Sequence, residues 1–169
     1  MKEKNIIGAV MIIALAFSAG ITHSYFIDKK DKLNIISTDT SEILIEENFK
    51  TPPCDLVQNT TYTKEVSVKN LRTTSWIRMR IEVNNSELEK KIRLNFNNDG
   101  SWKKNEDGYY YYTKPVERDK VTSPVLYSVT ALENIPSGML NVICFAESVQ
   151  AERYNTGTEP YMDAFARIQ

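Results

Sequence analysis

WIRMRIEV, residues Trp76–Val83, alternates without a break: Ile77, Met79, Ile81 and Val83 are apolar, and Trp76, Arg78, Arg80 and Glu82 stand between them. A sustained period of two predicts a β-strand with one face on a core. A slip of one residue would bury two arginines, so the register is strongly specified. Just upstream, TYTKEVSVKN from Thr61 to Asn70 sets Val66 and Val68 on one face and Glu65, Ser67 and Lys69 on the other. Both runs predict strands of an antiparallel sheet with one solvated side.

Downstream, Ser86 is the expected cap of a single helical turn running to Lys91, with Glu87 and Glu89 near its N-terminus. Ile92, Leu94 and Phe96 resume the alternation before the turn Asn97-Asn98-Asp99-Gly100. Trp102 leads to Asp107-Gly108, a strong hairpin signal, and then to four consecutive tyrosines, Tyr109–Tyr112, which alternation splits two to each face. These rings suit either cross-strand aromatic packing or a platform for stacking a ligand. After Pro115, Val121 to Thr130 reads as a strand with Val125, Tyr127 and Val129 on one face. Past the Pro136-Ser137-Gly138 turn, Met139 to Ala151 is apolar on both sides through Val142-Ile143-Cys144-Phe145-Ala146, as expected of a strand inside a sheet. Finally Thr158 is placed to cap a helix whose Tyr161, Ala164, Phe165 and Ile168 form one apolar stripe that docks on the sheets.

Before these strands the pattern is different. Lys2 and Lys4 precede an apolar run from Ile6 to Ile21 that turns polar at Thr22, His23 and Ser24, the order of a secretory signal peptide. Thr22 and Ser24 are small enough for a signal peptidase cutting between Ser24 and Tyr25, with Ser18 and Gly20 marking an earlier site. The rival reading is a membrane anchor, although the run is short of the roughly 20 apolar residues a span needs. Cleavage divides the chain into a leader, 1–24, and a single domain, 25–169, that opens with an extended segment, 25–37. Roughly 145 residues are enough to bury one core. Within them Asn34–Ser37 and Ile43–Glu47 are two brief strands around a polar turn, and Pro52-Pro53 ends the second.

Charge and histidine content exclude whole classes of function. Removal of Lys2, Glu3 and Lys4 with the leader leaves a net charge of about −2 and no basic patch to recruit nucleic acid. The one histidine, His23, lies on the leader side of the cut. Without imidazole the mature chain has no Ser-His-Asp or Cys-His pair and no H-E-x-x-H zinc site. Paired carboxylates could run glycoside hydrolysis without histidine, but nothing in the spacing pairs two of them.

Three groups of residues carry a resemblance. Tyr25-Phe26-Ile27-Asp28, a lysine-rich Lys29–Lys32 and Asn34-Ile35-Ile36 resemble the start of the mature chain in the TasA/camelysin family, exported proteins of Gram-positive bacteria processed by a dedicated signal peptidase. Lys64–Asn70, a polar turn and Ser75–Ile81 are similar to that family's paired core strands, and Glu147–Gln150, within Ala-Glu-Ser-Val-Gln-Ala, to its closing strand. Leu56-Val57-Gln58-Asn59 departs from it where a Pro-Gly turn is common. The resemblance covers about half of the mature chain. It implies a jelly-roll matrix subunit that assembles into extracellular fibres, one subunit's N-terminal segment completing the next subunit's sheet. Tyr25, Phe26, Ile27, Asp28, Leu33, Asn34, Ile35 and Ile36 would form that segment. A metalloprotease label attached to camelysin members does not transfer to a mature chain lacking histidine.

Two further groups are candidate sites. Asn95, Asn97, Asp99, Gly100 and Glu106 fall at the spacing of a calcium loop, but the first ligand should be Asp, and Lys103 and Lys104 intrude. The alternative is a plain Asn/Asp/Gly turn. Export exposes Cys54 and Cys144 to an oxidising medium, where a bridge closing about 90 residues would stabilise by about 4–5 kcal/mol. The alternative is two separate thiols, Cys144 buried as a small apolar residue.

The expectation is therefore an all-β, antiparallel β-sandwich of about eight strands, of jelly-roll or Greek-key type, with a short C-terminal helix. The expected function is a secreted structural protein of the extracellular matrix or cell surface. Its partners would be copies of itself and, during export, a signal peptidase, with membrane contact only before leader cleavage. It would have no cofactor, no resident metal and no catalytic residue. The alternative is a secreted monomeric binding or substrate-processing module.

Overall fold

The computed structural model describes residues 18–25, 35–38, 41–49, 55–152, 157 and 159–166. Ten strands and two short helices lie among them: β1 (Ser18–Tyr25), β2 (Ile35–Thr38), β3 (Ser41–Phe49), β4 (Thr61–Asn70), β5 (Ser75–Val83), α1 (Ser86–Glu89), β6 (Ile92–Phe96), β7 (Trp102–Lys104), β8 (Tyr110–Tyr112), β9 (Leu126–Ala131), β10 (Asn141–Gln150) and α2 (Pro160–Ala166). They form two five-stranded sheets. The first has the order β1-β10-β5-β8-β7 and the second β2-β3-β4-β9-β6. Every pairing between these strands is antiparallel. The molecule is the expected all-β sandwich, with the chain changing sheets between β1 and β2, β4 and β5, β5 and β6, β6 and β7, β8 and β9, and β9 and β10.

The core between the sheets is built by the alternation read in the sequence. Val66 and Val68 of β4, Ile77 and Met79 of β5, and Val142, Cys144 and Ala146 of β10 are fully buried in one apolar cluster with Ile43, Ile45, Leu126 and Val129. Each fully buried aliphatic side chain contributes about 1.5–3 kcal/mol. Tyr110 and Tyr112 face this cluster, with Tyr110 stacked on Phe96 at 4.6 Å, whereas Tyr109 and Tyr111 pack on the other side of the sheet. The tyrosine strand thus divides two and two. It works by packing.

Four details differ from the sequence expectation. Asn85, not Ser86, caps α1, because its side chain accepts the Glu87 amide at 2.8 Å. The strand expected from Val121 begins only at Leu126. Tyr127 does not share a face with Val125 and Val129: it is 41% exposed while both valines are fully buried. The register there skips Tyr127, with Ser128 and Leu126 opposite the consecutive residues Asn95 and Phe96, and such a bulge resets the alternation. Lys64 lies on the apolar side of β4, fully buried, with its ammonium 2.6 Å from Glu47 of β3. Asn70, the last residue of β4, is also buried, its amide donating to the Thr73 and Val116 carbonyls.

Candidate functional site

The outer face of β5, expected to be wet, is covered at Trp76 and Arg78. A seven-residue helix is too short to persist alone in water, so α2 exists because Tyr161, Ala164 and Phe165 dock on Trp76, Tyr111, Val149 and Ala151. Beneath it Trp76 and Arg78 are buried. The Arg78 guanidinium donates to Glu147 of β10 through Nε at 2.7 Å and lies 2.6 Å from the same carboxylate through Nη2. Its Nη1 donates to the Tyr111 hydroxyl at 3.1 Å. The Tyr109 ring lies over the guanidinium at 4.1 Å and Phe165 at 4.6 Å. Tyr109 donates to Glu147 at 3.0 Å, and Tyr111 to Asp107 at 2.5 Å.

Every polar group of this cluster thus has a partner, except that Trp76 Nε1 finds none among the described residues. Burial opposes the Arg78 charge, but Tyr111 and Glu147 outweigh it and hold the pKa above its ordinary value. Burial also pushes up the Tyr111 phenol, reinforced by Asp107. Asp107 itself is pushed up by burial, but the Tyr111 hydroxyl, the Tyr109 amide and Arg78 hold its carboxylate below the usual range. The arrangement fastens a helix to a sheet. Replacing Phe165 with alanine should weaken this seat by about 3 kcal/mol. Hydrogen exchange would then show fast amides in α2 and unchanged protection in β4; loss of protection in both would mean that α2 is integral to the sandwich.

The other candidate is an edge. β10 lies between β5, paired from Val142↔Val83 to Gln150↔Ser75, and β1, paired from Ser18↔Ser148 to Tyr25↔Asn141. It is the interior strand its composition predicts, and the strand on one side of it is the end of the predicted leader. Ser24 and Tyr25, the expected cleavage pair, are the last two residues of β1. Of the expected assembly segment, Ile35 and Ile36 open β2, opposite Leu44 and Ile43 of β3. Phe26, Ile27, Asp28, Leu33 and Asn34 lie outside the described residues, as do the leader before Ser18, Cys54, Thr158 and Ile168. Cys144 is buried on the inner face of β10, against β1 and β5.

The calcium-loop residues are engaged with the protein itself. Asn95 donates to the Ser128 and Thr130 hydroxyls. The Asn97 side-chain oxygen accepts the Asp99 amide at 2.7 Å, and Asp99 accepts the Ser101 amide at 2.8 Å. These are the turns that Asn and Asp make by bonding the backbone two residues on. Glu106 lies in the separate hairpin between β7 and β8. Among the described residues no three His, Cys, Asp or Glu side chains gather into a metal-sized group, and no helix is long and apolar enough to cross a membrane.

Fold and site together define a two-sheet antiparallel sandwich, buttressed on one outer face by a helix and flanked along β10 by β1. Comparison with protein-family models, curated proteins and solved structures gives no match.

Proposed function

We propose that this chain is an exported structural subunit, akin to the TasA/camelysin proteins, that polymerises by β-strand addition into an extracellular matrix or cell-surface fibre. The observation that carries the reading is the edge of β10. Ser18–Tyr25 closes it, and signal-peptidase cleavage between Ser24 and Tyr25 would leave it open. An open strand edge is a template for pairing, and a second copy's N-terminal segment, with Leu33, Ile35 and Ile36, can supply the missing strand. On this reading the protein has no catalytic role, and its partner is itself.

Electron microscopy of the purified mature chain, Tyr25 to Gln169, tests the proposal: fibres are expected. A chain lacking Tyr25 to Ser37 should stay folded by circular dichroism, because the deletion takes only most of the four-residue edge strand β2, but should no longer polymerise. Unchanged fibres from the truncated chain would remove the strand-donor mechanism. A mature chain that stays monomeric at high concentration would return the binding-module alternative.

A further inference from the structure

We propose that Ser18–Tyr25 is a built-in placeholder: while the leader is attached it fills the edge of β10 and keeps the precursor from polymerising, and cleavage opens that edge to a second copy. The inference rests on the assembly reading above and adds its control.

The first argument is the position of the cut. β1 pairs with β10 along eight residues, Ser18 to Tyr25. Cleavage between Ser24 and Tyr25 separates all of them but Tyr25 from the domain. One peptide bond therefore decides whether β10 has one neighbour or two.

The second argument is the character of the edge. Native edges are blunted by short strands, lysines, prolines or bulges. The other edges of the sandwich follow that practice: β2 has four residues, β7 has three with Lys103 and Lys104 among them, and β6 carries Arg93 and a bulged pairing. β10 has none of these devices. It is ten residues long, NVICFAESVQ, without proline or lysine, and its one charge, Glu147, is held by Arg78. Its pairings with β1 and β5 run without a register shift. Such a strand is built to be covered on both sides, so an empty position beside it draws in another strand.

The third argument is the composition of the strand that covers it. Opposite Val142, Cys144, Ala146 and Ser148, all fully buried, the register sets Ser24, Thr22, Gly20 and Ser18. None of those four is a large apolar residue, so by composition β1 offers little apolar area to that face of the edge. Cutting its covalent tether turns an intramolecular contact into a bimolecular one and removes its effective concentration. The mature segment carries Leu33 and Ile35 two residues apart, which a strand presents on one face. To reach the edge it must leave β3, where Ile35 and Ile36 pair with Leu44 and Ile43, and it then brings more apolar area than the residues it replaces.

A synthetic peptide of the placeholder, SAGITHSY, provides the test. Added to the mature chain, it should bind one to one, raise the melting temperature and stop fibre growth, whereas a scrambled peptide should do none of these. At about 100 times its Kd, the fraction of open edges and the growth rate should fall about a hundredfold. The unprocessed full chain, solubilised in dodecyl maltoside, should neither bind the peptide nor polymerise; the mature chain in the same detergent is the control. A mature chain that ignores the peptide, or an unprocessed chain that forms fibres as readily as the mature one, overturns the placeholder and leaves strand addition standing. A mature chain that takes the peptide but never polymerises overturns the assembly reading and leaves the open edge standing.

Discussion

Replacing Arg78 with alanine is expected to destabilise the domain by about 3–5 kcal/mol, the usual cost of removing one partner from a buried ion pair. The Arg78 side chain is 7% exposed and its partner Glu147 16%. Without the guanidinium, Glu147 keeps its bond from Tyr109 but remains a carboxylate under α2 with no cation beside it. Tyr111 loses its donor, and the Tyr109 and Phe165 rings lose the cation between them. Replacing both members together, Arg78→Met with Glu147→Leu, should recover most of the loss, because the penalty comes from the orphaned charge rather than from the absence of attraction. Urea titration of the two single variants and the double variant measures this. Additive losses, with the double variant the least stable, would show that the two side chains contribute independently and that an orphaned charge is not what sets the penalty.

Ile77→Asp should leave no folded population. Ile77 is fully buried between the sheets, and a carboxylate there has neither water nor a partner. The expected loss of more than about 4–5 kcal/mol rivals the whole stability of an ordinary domain. Arg80→Asp, three residues along on the opposite face, loses only an exposed pairing with Glu82 and should change stability by less than about 1 kcal/mol. Equal shifts in thermal melting for the two variants would mean that the faces of β5 are assigned the wrong way round.

The faces of β5 and β4 are legible in the sequence because a period of two survives whatever the strand pairs with. What escapes is set by distant partners. Arg78 reads as solvated because the helix that covers it begins at Pro160, far along the chain, and nothing within Trp76–Val83 announces a lid. The signals that could have found it are the apolar stripe of α2 and the Tyr109/Tyr111 face, which need the same surface. Lys64 reads as polar because its burial depends on Glu47 of the adjacent strand. Tyr127 breaks the period because the bulge arises from pairing with β6, and two-against-one pairing belongs to the pair of strands.

The candidate edge was half legible. The composition of β10 demands a neighbour on each side, but the neighbour β1 is written inside a stretch whose hydrophobicity reads as a leader. An apolar leader and a strand of small and apolar residues share too much composition for periodicity to separate them.

The central position of β10 also sets the order in which the chain can fold. β5 emerges from the ribosome well before β10, yet β10 is its neighbour in the sheet on one side. Until β10 is made, β5 has an open flank, the inner face of the first sheet is incomplete, and the second sheet has little to pack on. Closure must await a contact between distant parts of the sequence, the kind that makes all-β domains slow to fold. A domain whose first sheet is joined through the last of its described strands stays open for most of its synthesis.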